Sequence, residues 1–259
     1  MPDPVLSVVT PSFNMARYIT ETLDSVAALE IRHEHIVIDG GSTDETLEIL
    51  AARKDPALFW LSEPDRGQTH AVNKGFGRVR GDLIAWLNAD DAYVQPGVNE
   101  ALAVFASEPD VDATFGFTDI VDSSGALSRQ YRCRGFSWRR FLYVGGYVAT
   151  PTIIFRRSLL ERTGELNEAY ADAADYDFYL RMFRKANVRL IPSSVVRFRI
   201  HEESKTGSNL ELQLREAMDI RLGYARSPIQ SALMRAIGGL VTTRERASPF
   251  WSEARGFDG

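Results

Sequence analysis

One cysteine, Cys133, stands in 259 residues. An internal disulfide is therefore impossible, and a zinc site built on several thiolates is excluded. The usage fits a reducing compartment. No apolar run approaches the ~20 residues that a membrane span needs. The opening Met1-Pro2-Asp3-Pro4 has no basic region and no long apolar stretch behind it, so no signal peptide is expected. A surplus of positive charge is also missing: the formal net charge is −5, which gives no sequence-wide pull toward nucleic acid. After the first strand-like run there is neither a Gly-x-Gly-x-x-Gly fingerprint nor a P-loop lysine, and Gly75-Phe76-Gly77 reads as a helix end. A dinucleotide-dependent dehydrogenase and a P-loop NTPase are thereby set aside.

What is present suits one large α/β domain, alone or with an appended tail; a hydrophobic share of 44% is enough for a sizeable core. Leu6–Thr10 is a short β-branched run that should stop at Pro11, which cannot donate to a ladder. Tyr18, Thr22, Val26 and Leu29 have helical spacing. His35–Asp39 is a second strand, and Ser42-Thr43-Asp44-Glu45 after it reads as a capping box with Ser42 as N-cap. Leu58–Ser62 is a third strand, ending at Glu63-Pro64-Asp65-Arg66-Gly67. A short helix through Ala71, Val72 and Lys74 leads to a fourth strand, and Val98 to about Ala106 forms the next helix. Strand and helix alternate four times in about a hundred residues, which predicts a doubly wound, mostly parallel sheet.

The fourth strand, Leu83-Ile84-Ala85-Trp86-Leu87, runs through Asn88-Ala89 into two adjacent carboxylates, Asp90-Asp91. Ligands of open α/β sheets bind at the carboxyl ends of strands. Two like charges side by side repel unless a cation or water intervenes. A divalent cation of the Mg²⁺ or Mn²⁺ type is one reading; a solvated acidic turn capping the next helix is the other. Asp39, Glu63 with Asp65, and the Pro11 loop fall on the same predicted edge, which favours a site.

The second half is less regular. Ala113–Ile120 reads as a strand, Asp122-Ser123-Ser124-Gly125 as a hairpin turn, Thr152–Phe155 as a strand and Ser158–Thr163 as a helix ending at Gly164. Arg129, Arg132, Arg134, Arg139 and Arg140 lie among Tyr131, Phe136 and Trp138: either a phosphate-binding patch or, preferred here, a solvated edge with a few packed rings. Asp175, after Asp172-Ala173-Ala174, opens a helix with an apolar face of Tyr176, Tyr179, Leu180 and Phe183. Val195–Ile200 is the last strand. Beyond it, Leu210, Leu214, Met218 and Leu222, then Ile229, Leu233, Ile237 and Leu240, repeat at helical spacing beside Arg226, Arg235, Arg244 and Arg246. Packing on the domain or a homodimer contact is the first reading of this tail, and a helix lying on an anionic membrane face the second.

Ser7-Val8-Val9-Thr10-Pro11-Ser12-Phe13-Asn14, Ile38-Asp39-Gly40-Gly41-Ser42-Thr43-Asp44, Asn73-Lys74-Gly75, Leu87-Asn88-Ala89-Asp90-Asp91 and Asp175-Tyr176-Asp177 with Arg181, in this order and spacing, resemble the family 2 inverting glycosyltransferases of GT-A fold. The resemblance runs from about residue 6 to residue 206. It implies a GT-A domain over 1–206, with a nucleotide-binding half (1–110) and an acceptor-binding half (111–206), followed by a helical extension over 207–259. It also implies a nucleotide-diphosphate sugar donor, UDP-linked by preference, and a divalent cation (Mn²⁺ or Mg²⁺). Thr10, Pro11, Phe13 and Asn14 would lie against base and ribose, Asp39 would receive the base edge, and Arg66 and Lys74 would sit near the nucleotide. Asn88, Ala89 and Asp90 would meet the ribose. Asn88 replaces a usual carboxylate, so the metal falls to Asp90, Asp91 or both, with His201 approaching metal or diphosphate.

The chemistry asks for the same groups. A leaving diphosphate gains charge, which a metal and cations must meet; Asp90, Asp91, Lys74, His201 and Lys205 suit that. The acceptor hydroxyl needs a carboxylate base, and Asp175 at a helix N-terminus stays ionised at neutral pH. A base opposite the leaving group implies inversion by single displacement. The acceptor site is expected within Arg129–Ala173. No QxxRW signature of processive members is present, so one sugar per encounter is expected. The acceptor would be a saccharide or lipid-linked glycan of bacterial surface biosynthesis, and the protein cytoplasmic, at the inner face of the membrane in one version. The alternative is a non-catalytic nucleotide-sugar-binding homologue acting in assembly or interaction, which Asn88 and Ala174 keep open. A metal-dependent nucleotidyltransferase would want a glycine-rich basic loop where Pro11-Ser12-Phe13-Asn14 stands.

Overall fold

A computed structural model describes residues 5–145, 148–202, 204 and 210–246, with side chains through residue 240. The first half alternates as expected: β1 (Leu6–Ser12), α1 (Ile19–Ala27), β2 (His33–Asp39), α2 (Thr46–Ala52), β3 (Leu58–Ser62), α3 (Gln68–Phe76) and β4 (Leu83–Trp86). β5 (Ala92–Tyr93), α4 (Gln95–Ser107), β6 (Ala113–Val121), β7 (Leu127–Tyr131), α5 (Trp138–Val144), β8 (Ile154–Arg156), α6 (Arg157–Thr163), α7 (Ala174–Met182) and β9 (Val188–Arg199) follow. Two further helices, α8 (Leu210–Gly223) and α9 (Pro228–Arg246), close the described chain.

The strands form one sheet in the order β3-β2-β1-β4-β8-β6-β9-β5, with β7 paired to β6. β3, β2, β1 and β4 are parallel, as are β6 and β9, while β8 runs against both β4 and β6. All seven residues of β1 and all four of β4 are buried, as befits strands covered on both faces. One core packs Val9, Ile84, Trp86, Phe115 and Phe155 against α3 and α7, a second packs Leu6, Val8, Leu83 and Ala85 against α4, and a third joins Val37 to α1 and α2 through Ile19, Leu23 and Leu50. Chain order reverses at β1: β2 and β3 lie to one side of it, β4 to the other. Ligand crevices of such sheets form at that point.

The last strand begins at Val188, seven residues before expectation, Trp138–Val144 is an unexpected helix, and the strand expected over Thr152–Phe155 is Ile154–Arg156; two further differences bear on the site. β1 does not stop at Thr10 but continues through Pro11 to Ser12, in register with Ile38 and Asp39. Val9 bonds toward β4, through Leu87 N–H to Val9 C=O, and Ser12 bonds toward β2. Pro11 therefore faces the β4 side, where pairing has ended at Val9–Trp86 and no donor is needed. Nor does Ser42 cap a helix. α2 starts at Thr46, and it is Asp44 that accepts the Thr46 N–H at 3.1 Å and the Thr46 hydroxyl at 2.5 Å. Ser42 instead donates its N–H and hydroxyl to the Asp39 carboxylate, and its oxygen accepts the Asn14 N–H rather than one at the start of α2.

The tail packs on the domain. Ile220 and Met234 are buried in the same core as α7, Trp138 meets Tyr224 edge-on, and Gln230 donates to the Tyr143 hydroxyl at 3.1 Å. The predicted stripe of α9 divides: Ile237 is half-buried, whereas Ile229, Leu233 and Leu240 are 82%, 49% and 73% exposed.

Candidate active site

The loops after β1 and β2 are laced together. Asn14 takes a left-handed backbone (φ 53°), which asparagine tolerates, and its side-chain oxygen accepts the Thr43 N–H at 2.8 Å. Its own N–H donates to Ser42 Oγ at 2.7 Å. Beneath them lies Asp39, fully buried. Its carboxylate accepts the N–H groups of Gly41 (3.0 Å) and Ser42 (2.8 Å) and the hydroxyls of Ser62 (2.7 Å) and Ser42 (2.5 Å). Asp39 thus shapes the loop. Thr10 is buried too, its hydroxyl 2.9 Å from His35 Nε2. Burial, helped by the charges of His33 and Arg53, pushes the His35 imidazole down to about 3, so it is neutral.

Above this layer a cleft of ≈ 610 Å³ opens between the β1 loop and the end of β4. It gathers Pro11, Phe13, Asn14, Asn88, Ala89 and Asp90. Phe13 is 56% exposed, an aromatic face offered to the cleft. Ser12 also lines it, with a buried hydroxyl that has no partner among the described residues. The far wall includes Gln68, whose side-chain N–H donates to Asn88 Oδ1 at 3.0 Å.

The acidic motif splits by burial. Asn88 is woven into protein, its oxygen also accepting the Trp86 indole N–H at 3.0 Å and its amide donating to Asp91 Oδ2 at 3.1 Å. Asp91 is 1% exposed, and its other oxygen accepts the Arg199 N–H at 3.0 Å. Burial, with the Asp90 charge second, holds its carboxyl well above the usual carboxylate range. Asp90 is the one that lines the cleft, and its Oδ2 stands 3.1 Å from Nε2 of His201. Tyr18 packs against the other side of that imidazole, ring centroids 4.5 Å apart. Arg199, 3% exposed, holds this corner by donating to the Asp90 carbonyl at 3.1 Å and to the Glu21 carboxylate.

The remaining candidates lie apart from the cleft lining. Lys74 pairs with Glu63 at 2.8 Å, and the ammonium beside Glu63 holds that carboxyl below its usual range. Arg66 pairs with Glu168 at 2.7 Å. Asn73 grips the Leu166 backbone through both amide atoms (3.0 and 2.9 Å), and a side chain at Gly75 would strike Val9 at 2.3 Å, so this motif seats α3 on β1. Asp175 is half-buried in the first turn of α7, its Oδ2 accepting the Thr150 hydroxyl at 2.8 Å. Lys205 lies outside the described residues. Among the described residues no three His, Cys, Asp or Glu side chains converge as a metal cage. Sequence reading missed Arg199, Tyr18, Gln68 and Thr150; their partners are far along the chain, and no local spacing marks them.

The comparisons with known proteins bear on family and fold. The model of glycosyl transferase family 2 matches residues 7–188. An "uncharacterized glycosyltransferase" of Mycobacterium tuberculosis is 34% identical over 181 residues, spanning 69% of this chain and 68% of the relative. A PGL/p-HBAD biosynthesis glycosyltransferase of Mycobacterium bovis is 31% identical over 189 residues, 71% of each chain. Among solved structures, S. aureus TarS (residues 1–349) in complex with UDP-GlcNAc superposes with a TM-score of 0.68 at 20% identity, covering 97% of this chain and 79% of that one. The mannosyltransferase PcManGT of Pyrobaculum calidifontis, in complex with GDP-Man and Mn²⁺, gives 0.67 at 19% identity, covering 99% and 75%. At such identities the structures speak for the fold, which is GT-A, while the family model and the relatives above 30% identity speak for descent. The chain therefore belongs to glycosyl transferase family 2.

Proposed function

We propose that the protein transfers a sugar from a nucleotide-diphosphate donor, UDP-linked by preference, to an acceptor hydroxyl by inverting single displacement. One observation carries the reading most: Asp90, on the cleft lining, meets His201, 111 residues away, at 3.1 Å. The Asp90 carboxylate would suit Mn²⁺ or Mg²⁺, and the His201 nitrogen beside it would favour Mn²⁺, the less strictly oxygen-seeking of the two. When bound, such a cation supplies charge to the departing diphosphate. Phe13 offers its ring to the base, and the orphan Ser12 hydroxyl offers a hydrogen bond. Asp175, its carboxylate oriented by Thr150, takes the acceptor hydroxyl's proton as the new C1–O bond forms opposite the breaking C1–O(phosphate) bond. The nucleotide leaves as its diphosphate, and configuration at C1 inverts. The relatives' complexes with UDP-GlcNAc, and with GDP-Man and Mn²⁺, support a nucleotide-sugar donor and a cation.

Calorimetric titration with UDP, with and without Mn²⁺, then with GDP and dTDP, tests this. One nucleotide should bind at least about tenfold tighter with the metal, ~1.4 kcal/mol. Binding of none under either condition would overturn the nucleotide-sugar reading and leave a protein that kept the fold and acts only in assembly or interaction.

We place the acceptor, a saccharide or lipid-linked glycan, on the 129–173 side, and one sugar is added per encounter. The M. bovis relative, named for PGL/p-HBAD biosynthesis, supports a glycan-assembly setting. No helix of the described residues is long and apolar enough to cross a membrane. Ile229, Leu233 and Leu240 nevertheless form an exposed apolar stripe on α9. Residues 226–246 carry four arginines and one glutamate in a chain of net charge −5. That excess of positive charge in the sequence of the same segment fits the anionic inner face of a membrane. The protein should co-sediment with phosphatidylglycerol vesicles and not with phosphatidylcholine ones, and Leu233→Glu should abolish it. Self-association without vesicle binding would reassign the stripe to a homodimer.

A further inference from the structure

α8 lies beyond the family-matched segment, yet it touches the chain on both sides of Asp175. Glu216 reaches the residues just ahead of α7. One of its oxygens accepts the Ala171 N–H and the other accepts those of Asp172 and Ala173, all at 2.9 Å. These N–H groups belong to the turn that leads into α7 and to its N-cap residue, Ala173, where backbone donors have no intrahelical partner. A carboxylate from another helix thus fixes the entry to α7. Five residues on, Arg221 donates Nε to the Tyr176 hydroxyl at 3.2 Å and lies over its ring, 5.5 Å from the centroid. That hydroxyl is within 2.9 Å of the Leu142 carbonyl and 3.1 Å of the Phe141 carbonyl, so the contact extends to α5. Arg221 is only 5% exposed, and a charge placed so deep is expensive unless it is held to a purpose.

We propose that Glu216 and Arg221 are positioning residues for Asp175. α8 grips the backbone two residues before it and the side chain directly after it. This sets the height and rotation of α7's first turn, and with them the line from the carboxylate to the acceptor hydroxyl. The inference rests on Asp175 being the base. A misplacement of about 1 Å can cost roughly 10²-fold in rate, so the grip matters even though neither side chain touches substrate.

The test is Glu216→Gln, which keeps the size but sets an amide N–H₂ against backbone N–H groups. The assay is nucleotide release from the donor that the wild type turns over among UDP-GlcNAc, UDP-glucose and GDP-mannose, with water as acceptor. The expected result is a kcat lowered about 30- to 100-fold with donor KM changed by less than about twofold. Amide exchange at Ala171–Ala173 should quicken by at least about tenfold. Arg221→Lys, which trades the ring-stacked fork for a point charge, should shift kcat in the same direction by a smaller factor, and affinity for that donor's nucleoside diphosphate serves as the folding control. If both variants keep kcat within about twofold of wild type while Asp175→Asn is inactive, the positioning role is overturned and the base stands. If Asp175→Asn is also fully active, the base assignment itself fails. A loss in which kcat falls only together with affinity for that nucleoside diphosphate would mark Glu216 as a general structural residue and overturn the proposal.

Discussion

Asp175→Asn is expected to lower transfer by about 10²–10⁴-fold, the usual share of a positioned base, while the affinity for nucleotide stays within about twofold. Asparagine keeps the shape, and its carbonyl oxygen can still accept the Thr150 hydroxyl that Asp175 accepts at 2.8 Å. What it cannot do is take a proton. The residue does not line the nucleotide cleft, so binding and turnover should separate cleanly. Steady-state rates alongside calorimetric nucleotide titration read the two. Near-normal turnover would send the search for a base elsewhere. Asp177 would be a poor substitute, since it is tied to Arg181 at 2.8 Å.

The second large effect divides two neighbours that look alike in sequence. Asp90→Asn should remove most of the Mn²⁺ enhancement of nucleotide binding, at least about tenfold or ~1.4 kcal/mol, with little change in stability. Asp90 lines the cleft and faces His201; its backbone, not its side chain, holds Arg199. Asp91→Ala should do the reverse. It strips partners from the buried Arg199 N–H and the Asn88 amide, and an unsatisfied buried donor costs about 1–3 kcal/mol each. Urea unfolding of both variants, set beside metal-dependent titration, gives the comparison. A stable Asp91→Ala protein that has lost its metal response would exchange the two roles.

Much of the site's address was legible early. Buried runs such as Leu6–Thr10 and Leu83–Leu87 announce parallel strands because only a sheet covered on both faces tolerates so little polarity. Their chain order then places Phe13, Asn14 and Asp90 near one edge without any knowledge of contacts. The capping of α2 was misread because a local pattern, Ser-x-x-Glu, competes with Asp39, whose carboxylate accepts the Ser42 N–H and hydroxyl.

Local physics therefore determined the elements, the alternation and the edge at which chemistry gathers, since hydrophobic period and turn chemistry act over a few residues. Only the tertiary structure decided which side chains use that edge. Asp90 and Asp91 are adjacent in sequence, yet one faces the cleft and the other is sealed beneath it by Arg199, 108 residues away. Lys74 and Arg66 carry charge in the sequence that Glu63 and Glu168 engage in the fold. The helical tail, which periodicity could describe only as apolar on one side, holds the backbone ahead of Asp175 through Glu216. Such pairings are long-range electrostatic and hydrogen-bonding choices, made when buried groups must find partners, and a linear pattern carries no record of them.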